Sequence, residues 1–349
     1  MLGSTTKPHP WGRPPSVARG HGGAVSDWDD RRFREEGHRC EDERLTGTET
    51  TRSVKSQGMA KSQTQALPFL DTSVVRSLLM GSQPYREFLQ GVLGERLYVS
   101  RFVDMEFKRG VLLTLIDFLN TLAMPHLRTI EDAERTWSNR FQGRQVKLVL
   151  ALSASIFDGY RLDRTSPRDK ERGITRLAVV IKSLDRAMRY RFKRVSSDRT
   201  HCPRGEQPIR TSVAPDRAKQ ELNVYADNFQ DTTANRQKCR MDKFLEHFER
   251  DLMACTRHIE TLPDLEQHER LKKMATNAEK VQKDPSLCSC HTCEKLGDAV
   301  IALGAPRDLQ LETTDESFQH WCGPIKQPHR LHRSELDYLN SLGESKATT

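Results

Sequence analysis

The chain has 349 residues, a formal net charge of +8 and a pI of about 9.1, with 36% hydrophobic and 30% charged residues. A mean hydropathy of −0.71 is polar for a chain folded from end to end, so part of it is expected to lack a core. No run of about 20 apolar residues is present to span a bilayer, no apolar signal region follows the N-terminus, and 8 irregularly spaced cysteines do not read as a secreted disulfide scaffold. The expectation is a soluble cytoplasmic protein whose positive charge favours a polyanionic partner such as nucleic acid.

Residues 1–65 are rich in Gly, Ser, Thr, Pro and charge, and cannot bury enough surface to offset their ordering entropy. They are expected to form a disordered tail in which Arg31, Arg32, Phe33 and Arg34 are a solvated cluster, and Met59 is an alternative start. Residues 66–76 read as a first strand and its turn: an apolar run, Ala66-Leu67-Pro68-Phe69-Leu70, climbs into Asp71 and the hydroxyls of Thr72 and Ser73. Residues 84–93 form a short helix with Pro84 in its first turn. A second strand is expected over 96–103 and a helix over 105–124, apolar nearly all round and ended by Pro125.

Residues 130–158 look helical. Ile174, Leu177, Ile181, Leu184 and Met188 recur at steps of three and four and predict an amphipathic helix over 174–192. Residues 195–235 read as a long loop. A second amphipathic helix is expected over 238–260, a charged helix over 263–283, and then a helix opened by Gly297-Asp298. A strand at Leu309–Leu311 leads to Thr313-Thr314-Asp315, a last strand lies near Pro328–Leu331, and a closing helix runs from Ser334 to Leu342.

Four carboxylates stand in similar settings along this path. Asp71 ends the first strand, Glu106 enters the helix after the second, Asp298 opens Gly-Asp-Ala-Val-Ile-Ala, and Asp315 follows a strand in Thr-x-Asp-x-x-Phe. Strand ends of this kind deliver acids to the carboxyl edge of a parallel sheet, where open α/β folds place their ligands. Each acid singly is more often a cap or a surface group: Asp71 suits a turn, and Asp298 a first helical turn.

As an ordered set, these pieces resemble the PIN-domain nucleases. The resemblance covers about residues 66–125 and 237–330. It implies a three-layer α/β/α fold with a central parallel sheet over residues 66–330, and a metal-dependent endoribonuclease acting on single-stranded or structured RNA. Asp71 and Glu106 stand 35 residues apart and Asp298 and Asp315 stand 17 apart, but 192 residues separate Glu106 from Asp298. That gap exceeds the family pattern and predicts an inserted helical, basic region over 125–236, with residues 331–349 as a C-terminal helix and tail.

Phosphodiester hydrolysis needs charge neutralised on the phosphate and a deprotonated water. Mg²⁺ or Mn²⁺ on hard oxygen ligands supplies both. Asp71 and Asp298 are the expected direct ligands, with Glu106 and Asp315 completing the site partly through water. Thr72, Ser73 or Thr313 are expected to orient them by hydroxyl hydrogen bonds, whereas alternation or helical phase aims Asp104 and Glu316 elsewhere.

Across 161–244 the chain carries 21 Lys and Arg against 11 Asp and Glu, so the insertion is the basic part of the molecule. Its segment Arg186-Ala187-Met188-Arg189-Tyr190-Arg191-Phe192-Lys193-Arg194 interleaves charge and aromatics. Arg186, Arg189, Arg191, Lys193 and Arg194 are candidate phosphate contacts, and Tyr190 and Phe192 candidate stacking platforms. The plainer reading is a solvated helix face whose aromatics turn into the core.

Cys288-Ser289-Cys290-His291-Thr292-Cys293 packs soft ligands closely, and Cys290-x-x-Cys293 has half the spacing of a structural zinc site. Cys255 and His258, one turn apart, are the candidate second half, with Cys322 and His320 as substitutes. Buried reduced thiols are the bland alternative. Two rival functions stay open: a catalytically inactive RNA-binding adaptor on the same fold, and the toxin ribonuclease of a toxin–antitoxin pair. The sequence leaves DNA as an alternative to RNA and leaves the oligomeric state open, a homodimer included.

Overall fold

The computed structural model describes residues 66–140, 144–195, 222, 225–226, 229, 232–234, 239–287 and 289–347. The expected N-terminal tail, with the Arg31–Arg34 cluster, and most of the 195–235 loop lie outside them.

Five strands form one all-parallel sheet: β1 (Leu67–Leu70), β2 (Tyr98–Val99), β3 (Lys193–Arg194), β4 (Leu309–Thr313) and β5 (His329–Leu331), in the order β3-β2-β1-β4-β5. The central pairing sets Leu67 opposite Leu309 and Leu70 opposite Glu312. Phe69 and Leu70 point to opposite faces and neither is exposed, so both faces of the sheet are covered. The chain steps outward from β1 to β2 to β3, then returns to the far side of β1 as β4. The order therefore reverses between β1 and β4, and the crevice beyond their carboxyl ends is where doubly wound sheets bind ligands.

Local chemistry explains the element ends. Asp71 caps α1 (Thr72–Met80) by accepting from the Val74 N–H. Helix α2 (Gln83–Leu93) carries Pro84 in its first turn and ends at Gly94, whose φ of 74° suits glycine. The second strand is two residues long rather than the expected eight. The Ser100 side chain accepts from the Val103 N–H and starts α3 (Arg101–Phe107) at once. Helix α3 runs through a π turn (Lys108–Leu112) into α4 (Leu113–Leu122), so one helical path replaces the single helix expected from 105. The π turn lies two residues past Glu106, and such bulges frequently sit at functional sites.

Helices α5 (Ile130–Arg140), α6 (Arg144–Gly159) and α7 (Pro167–Tyr190) follow. Trp137 of α5 donates its indole N–H to Asp117 at 2.7 Å and packs edge-on against Phe118, with ring centroids 5.4 Å apart. Helix α7 starts earlier than its apolar period predicted, because Ser166 and Pro167 form its N-terminus. The stretch expected to be an inserted subdomain is in part the body of the fold. Leu177, Ile181, Leu184 and Met188 share one core with the sheet, and β3 pairs with β2. Leu222, Tyr225 and Phe229 are buried in that core as well.

A buried ionic chain ties these parts together. Lys108, wholly unexposed, sits 3.2 Å from Asp104 and 3.7 Å from Asp185. Asp185 also pairs with Arg189, and Asp104 with Arg194 of β3. Burial pushes the Asp104 carboxyl up, and Lys108 and Arg194 oppose that shift.

The helix expected over 238–260 breaks at Phe248 into α8 (Met241–His247) and α9 (Glu249–Glu260). Then come α10 (Glu266–Lys283), α11 (Cys290–Lys295), α12 (Gly297–Gly304), α13 (Phe318–Cys322) and α14 (Glu335–Ala347). Tyr338 of α14 stacks on Phe88 at 4.7 Å, and Glu335 accepts from the Ser82 N–H at 2.6 Å, so the C-terminal helix docks on α2. Among the described residues no helix is long and apolar enough to cross a membrane.

Candidate active site

The crevice at the sheet reversal is lined by acids. Asp71 leaves β1 with its side chain 3% exposed. One oxygen accepts from the Val74 N–H at 2.9 Å and the Ser73 hydroxyl at 2.8 Å, and the other accepts from the Thr313 hydroxyl at 2.8 Å. Thr313 ends β4, and its oxygen accepts from the Asp315 N–H at 2.9 Å. The Thr314 hydroxyl donates to Ser73 at 2.7 Å. The two central strand ends are therefore laced together by hydroxyls, which is why both carry Thr and Ser beside the acid.

Glu106 comes from α3 and accepts from the Thr72 hydroxyl. Its carboxylate rests directly on Gly297: a Cβ there would lie 2.8 Å from Oε1 and 3.6 Å from Phe102. A side chain at position 297 would push the end of Glu106 aside, and Gly297 leads directly into Asp298 in the first turn of α12. The Arg270 guanidinium of α10 meets Asp298 at 3.0 Å, with Asp298 14% exposed and Arg270 70%.

Asp71, Glu106, Asp298 and Asp315 line one cleft of about 740 Å³. Thr72 and Ser73 join them there. Glu316, expected to aim elsewhere, lines the cleft too. Asp104 does not, being held by Lys108 and Arg194. Sequence reading missed Arg76, Arg109 and Arg270 in the walls. Arg109 was visible three residues past Glu106, one helical step away. Arg270 had no local signal, since it arrives from a distant charged helix.

Electrostatics mark the cleft as a place of crowded negative charge. Burial pushes the Glu106 carboxyl up, against the Thr72 hydrogen bond, and Asp71 pushes it the same way. Burial also raises Asp71, against its hydrogen bonds from Val74, Ser73 and Thr313. Asp298 is raised to about 7 by burial, then by Glu106, Asp315 and Asp71, with Arg270 opposing. Acids that repel one another in a cleft favour either a shared proton or a bound cation. The donor set is all hard oxygen, which fits Mg²⁺ or Mn²⁺. Among the described residues no group of three or more His, Cys, Asp or Glu is placed to hold a metal ion. Acids spread along a cleft wall suit an ion that keeps several waters.

The candidate nucleic-acid residues divide. Arg189 pairs with Asp185, Arg194 with Asp104, and Arg191 donates to the Leu78 carbonyl at 3.3 Å. Phe192 is 3% exposed and belongs to the core, not to a stacking platform. Tyr190 is 74% exposed with the Arg186 guanidinium 5.9 Å from its ring, and Lys193 is exposed. Arg189 and Arg191 are thus engaged within the fold, while Arg194, paired with Asp104 yet exposed, remains a surface candidate with Arg186, Tyr190 and Lys193.

Of the expected zinc quartet, Cys255 turns into the core. That thiol is buried, donates to the Trp321 carbonyl at 3.1 Å, and burial pushes it up to about 12. Cys322 is raised to about 12 for the same reason. His258 faces His320 at 3.4 Å, and Cys293 has Cys239 as its sulfur neighbour. The side chain of Cys290 and all of Cys288 lie outside the described residues. Comparison with known proteins finds no matching family model, no similar curated protein and no similar solved structure, so the reading of this cleft rests on its own geometry and chemistry.

Proposed function

We propose that the chain is a divalent-metal-dependent endoribonuclease that hydrolyses phosphodiester bonds in the cleft at the sheet reversal. The observation that carries this reading is the convergence of Asp71, Glu106, Asp298 and Asp315, brought from four separate segments to one cleft. Local roles account for single acids: Asp71 caps α1, Asp315 accepts from the Ser317 N–H at 2.9 Å, and Asp298 pairs with Arg270. They do not explain why four acids share one cleft at the cost of mutual repulsion.

Asp71 and Asp298 would hold Mg²⁺ or Mn²⁺ most directly, with Glu106 and Asp315 completing the set. The ion, when bound, would neutralise phosphate charge and lower the pKa of a water. The chain's own parts do the rest. Thr72, Ser73 and Thr313 keep the carboxylates in place through their hydroxyls. Arg76, Arg109 and Arg270 supply positive charge in the walls for the flanking phosphates. Tyr190 with Arg186, and Lys193 at the sheet edge, suit sequence-independent contact with a single strand. RNA is preferred to DNA through the resemblance in motif order.

The test incubates labelled single-stranded RNA and DNA with pure protein in Mn²⁺, Mg²⁺ or chelator, beside Asp71→Asn and Asp298→Asn variants. The expected result is metal-dependent RNA cleavage lost in both variants. Absence of cleavage in every metal, with salt-sensitive RNA binding retained, would move the adaptor reading to the front. Cleavage equal in wild type and Asp71→Asn would assign it to a contaminant.

A further inference from the structure

We propose that Cys239 and Cys293 form a reversible modification site, which a hydroperoxide oxidises to a disulfide that staples the start of the α8–α10 helices to α11. Their Sγ atoms stand 3.5 Å apart and unbonded. A disulfide needs about 2.05 Å, so each sulfur has roughly 0.7 Å to travel. Side-chain rotation supplies that much without a rearrangement of the helices.

The protein keeps two chemically distinct pairs of cysteines. Cys239 and Cys293 are only partly buried, so a small oxidant can reach them. Cys255 and Cys322 are both fully buried, and burial pushes each thiol up to about 12. Thiols of that second kind are inert, because the thiolate is the nucleophile. Oxidation is therefore directed to the first pair. One thiolate attacks the peroxide and becomes a sulfenic acid, releasing water from hydrogen peroxide. The second thiol then attacks that sulfur, the S–S bond forms, and a second water leaves. Two thiols and one hydrogen peroxide thus give one disulfide and two waters. A reducing dithiol reverses the step by thiol–disulfide exchange.

The positions of the two residues give the staple a purpose. Cys239 stands two residues before α8, and Cys293 lies in α11, 54 residues later. Helices α8, α9 and α10 all fall between them, and α10 packs against both α8 and α9. The disulfide would close this unit into a covalent ring. Its α10 carries Arg270, which meets Asp298 in the cleft wall. Helix α11 has six residues and α8 has seven, too short to hold their own positions by helix formation. The staple would fix both, and with them the wall that α10 builds. The modification site does not depend on the nuclease reading.

The test prepares the full chain reduced and free of oxygen, then adds one equivalent of hydrogen peroxide. Remaining thiols are alkylated after unfolding and the peptides are mapped by mass. The expected result is a Cys239–Cys293 cross-link, with Cys255 and Cys322 recovered as alkylated thiols. Closing a loop of this length should raise the melting temperature by on the order of 5–10 °C. Amide exchange in α10 should slow, and dithiothreitol should reverse both effects. Cys293→Ala should show neither the cross-link nor the shift. Should that variant fail to fold, the oxidised and re-reduced wild type read the same site. Both cysteines left alkylable after peroxide would overturn the proposal. So would cross-links to other cysteines in place of this one, or a cross-link that moves neither the melting temperature nor the exchange.

Discussion

Replacing Gly297 with Ala tests whether the position of Glu106 matters to the cleft. The added Cβ would stand 2.8 Å from Glu106 Oε1 and 3.5 Å from its Cδ, inside ordinary carbon–oxygen contact. Relief requires the carboxylate to move by roughly half an ångström to 1 Å, and it is held by Thr72 on its other side. Glycine's φ here is not left-handed, so Ala is allowed by the backbone and gains up to about 1 kcal/mol of helix propensity. Stability should therefore change little, because that gain offsets the local repacking. Function should change much more: a misplacement of about 1 Å in a catalytic group costs on the order of 100-fold. The assay pairs thermal unfolding with Mn²⁺ calorimetry and single-turnover RNA cleavage. The expected outcome is a near-native melting temperature with weakened Mn²⁺ binding and cleavage reduced about 100-fold. Shortening the clashing group in Gly297→Ala/Glu106→Asp should recover part of the loss, giving a non-additive double-mutant cycle. Wild-type Mn²⁺ affinity and cleavage in Gly297→Ala would refute the reasoning, since the Glu106 carboxylate would then have no required position.

Three further outcomes are expected. Asp71→Asn keeps an N-cap side chain, so urea denaturation should show a loss of no more than about 1 kcal/mol, while metal-dependent cleavage disappears. Asp298 binds a proton more tightly in the folded than in the unfolded chain, being raised to about 7 from 3.8. Between those values the folded state holds the extra proton. Stability of metal-free protein should therefore fall as pH rises from about 4 to about 7, by up to about 1.4 kcal/mol per pH unit. Burial raises Asp71 and Glu106 in the same direction and adds to the slope. Urea midpoints at several pH values in chelator read it. The Asp298→Asn variant should flatten the curve, and an unchanged slope would remove Asp298 as its source. Lys108→Met leaves Asp104 and Asp185 buried with reduced compensation and should cost about 3–5 kcal/mol, measured by chemical denaturation. A loss below 1 kcal/mol would show that Arg189 and Arg194 suffice to hold that centre.

Much of the cleft was legible in the residue order. Asp71, Asp298 and Asp315 each stand at an element boundary that punctuation residues announce: Thr-Ser after Asp71, Gly before Asp298, Thr-Thr before Asp315. Those hydroxyls are the same groups that lace β1 to β4. Strand and helix types were also readable from apolar runs and from period, because burial on one face leaves a pattern in a short window. Boundaries were less so. The second strand shrank to two residues because one serine hydroxyl captured the Val103 N–H.

What the order of residues could not decide was which distant groups meet. The basic segment ending at Arg194 reads as a nucleic-acid surface, yet two of its arginines pair with the buried carboxylates of Asp104 and Asp185. Residues 125–236 read as an insertion, yet two of them, Lys193 and Arg194, form a strand of the central sheet. The cysteine expected beside His258 lies in the core, and its expected partner Cys293 meets Cys239 instead. The reason is physical. Propensity, capping and amphipathic period act over a few residues and leave local marks, whereas ion pairing and sulfur contacts act across space. Their partners are chosen only when the sheet closes and brings segments 50 to 250 residues apart to the same few ångströms.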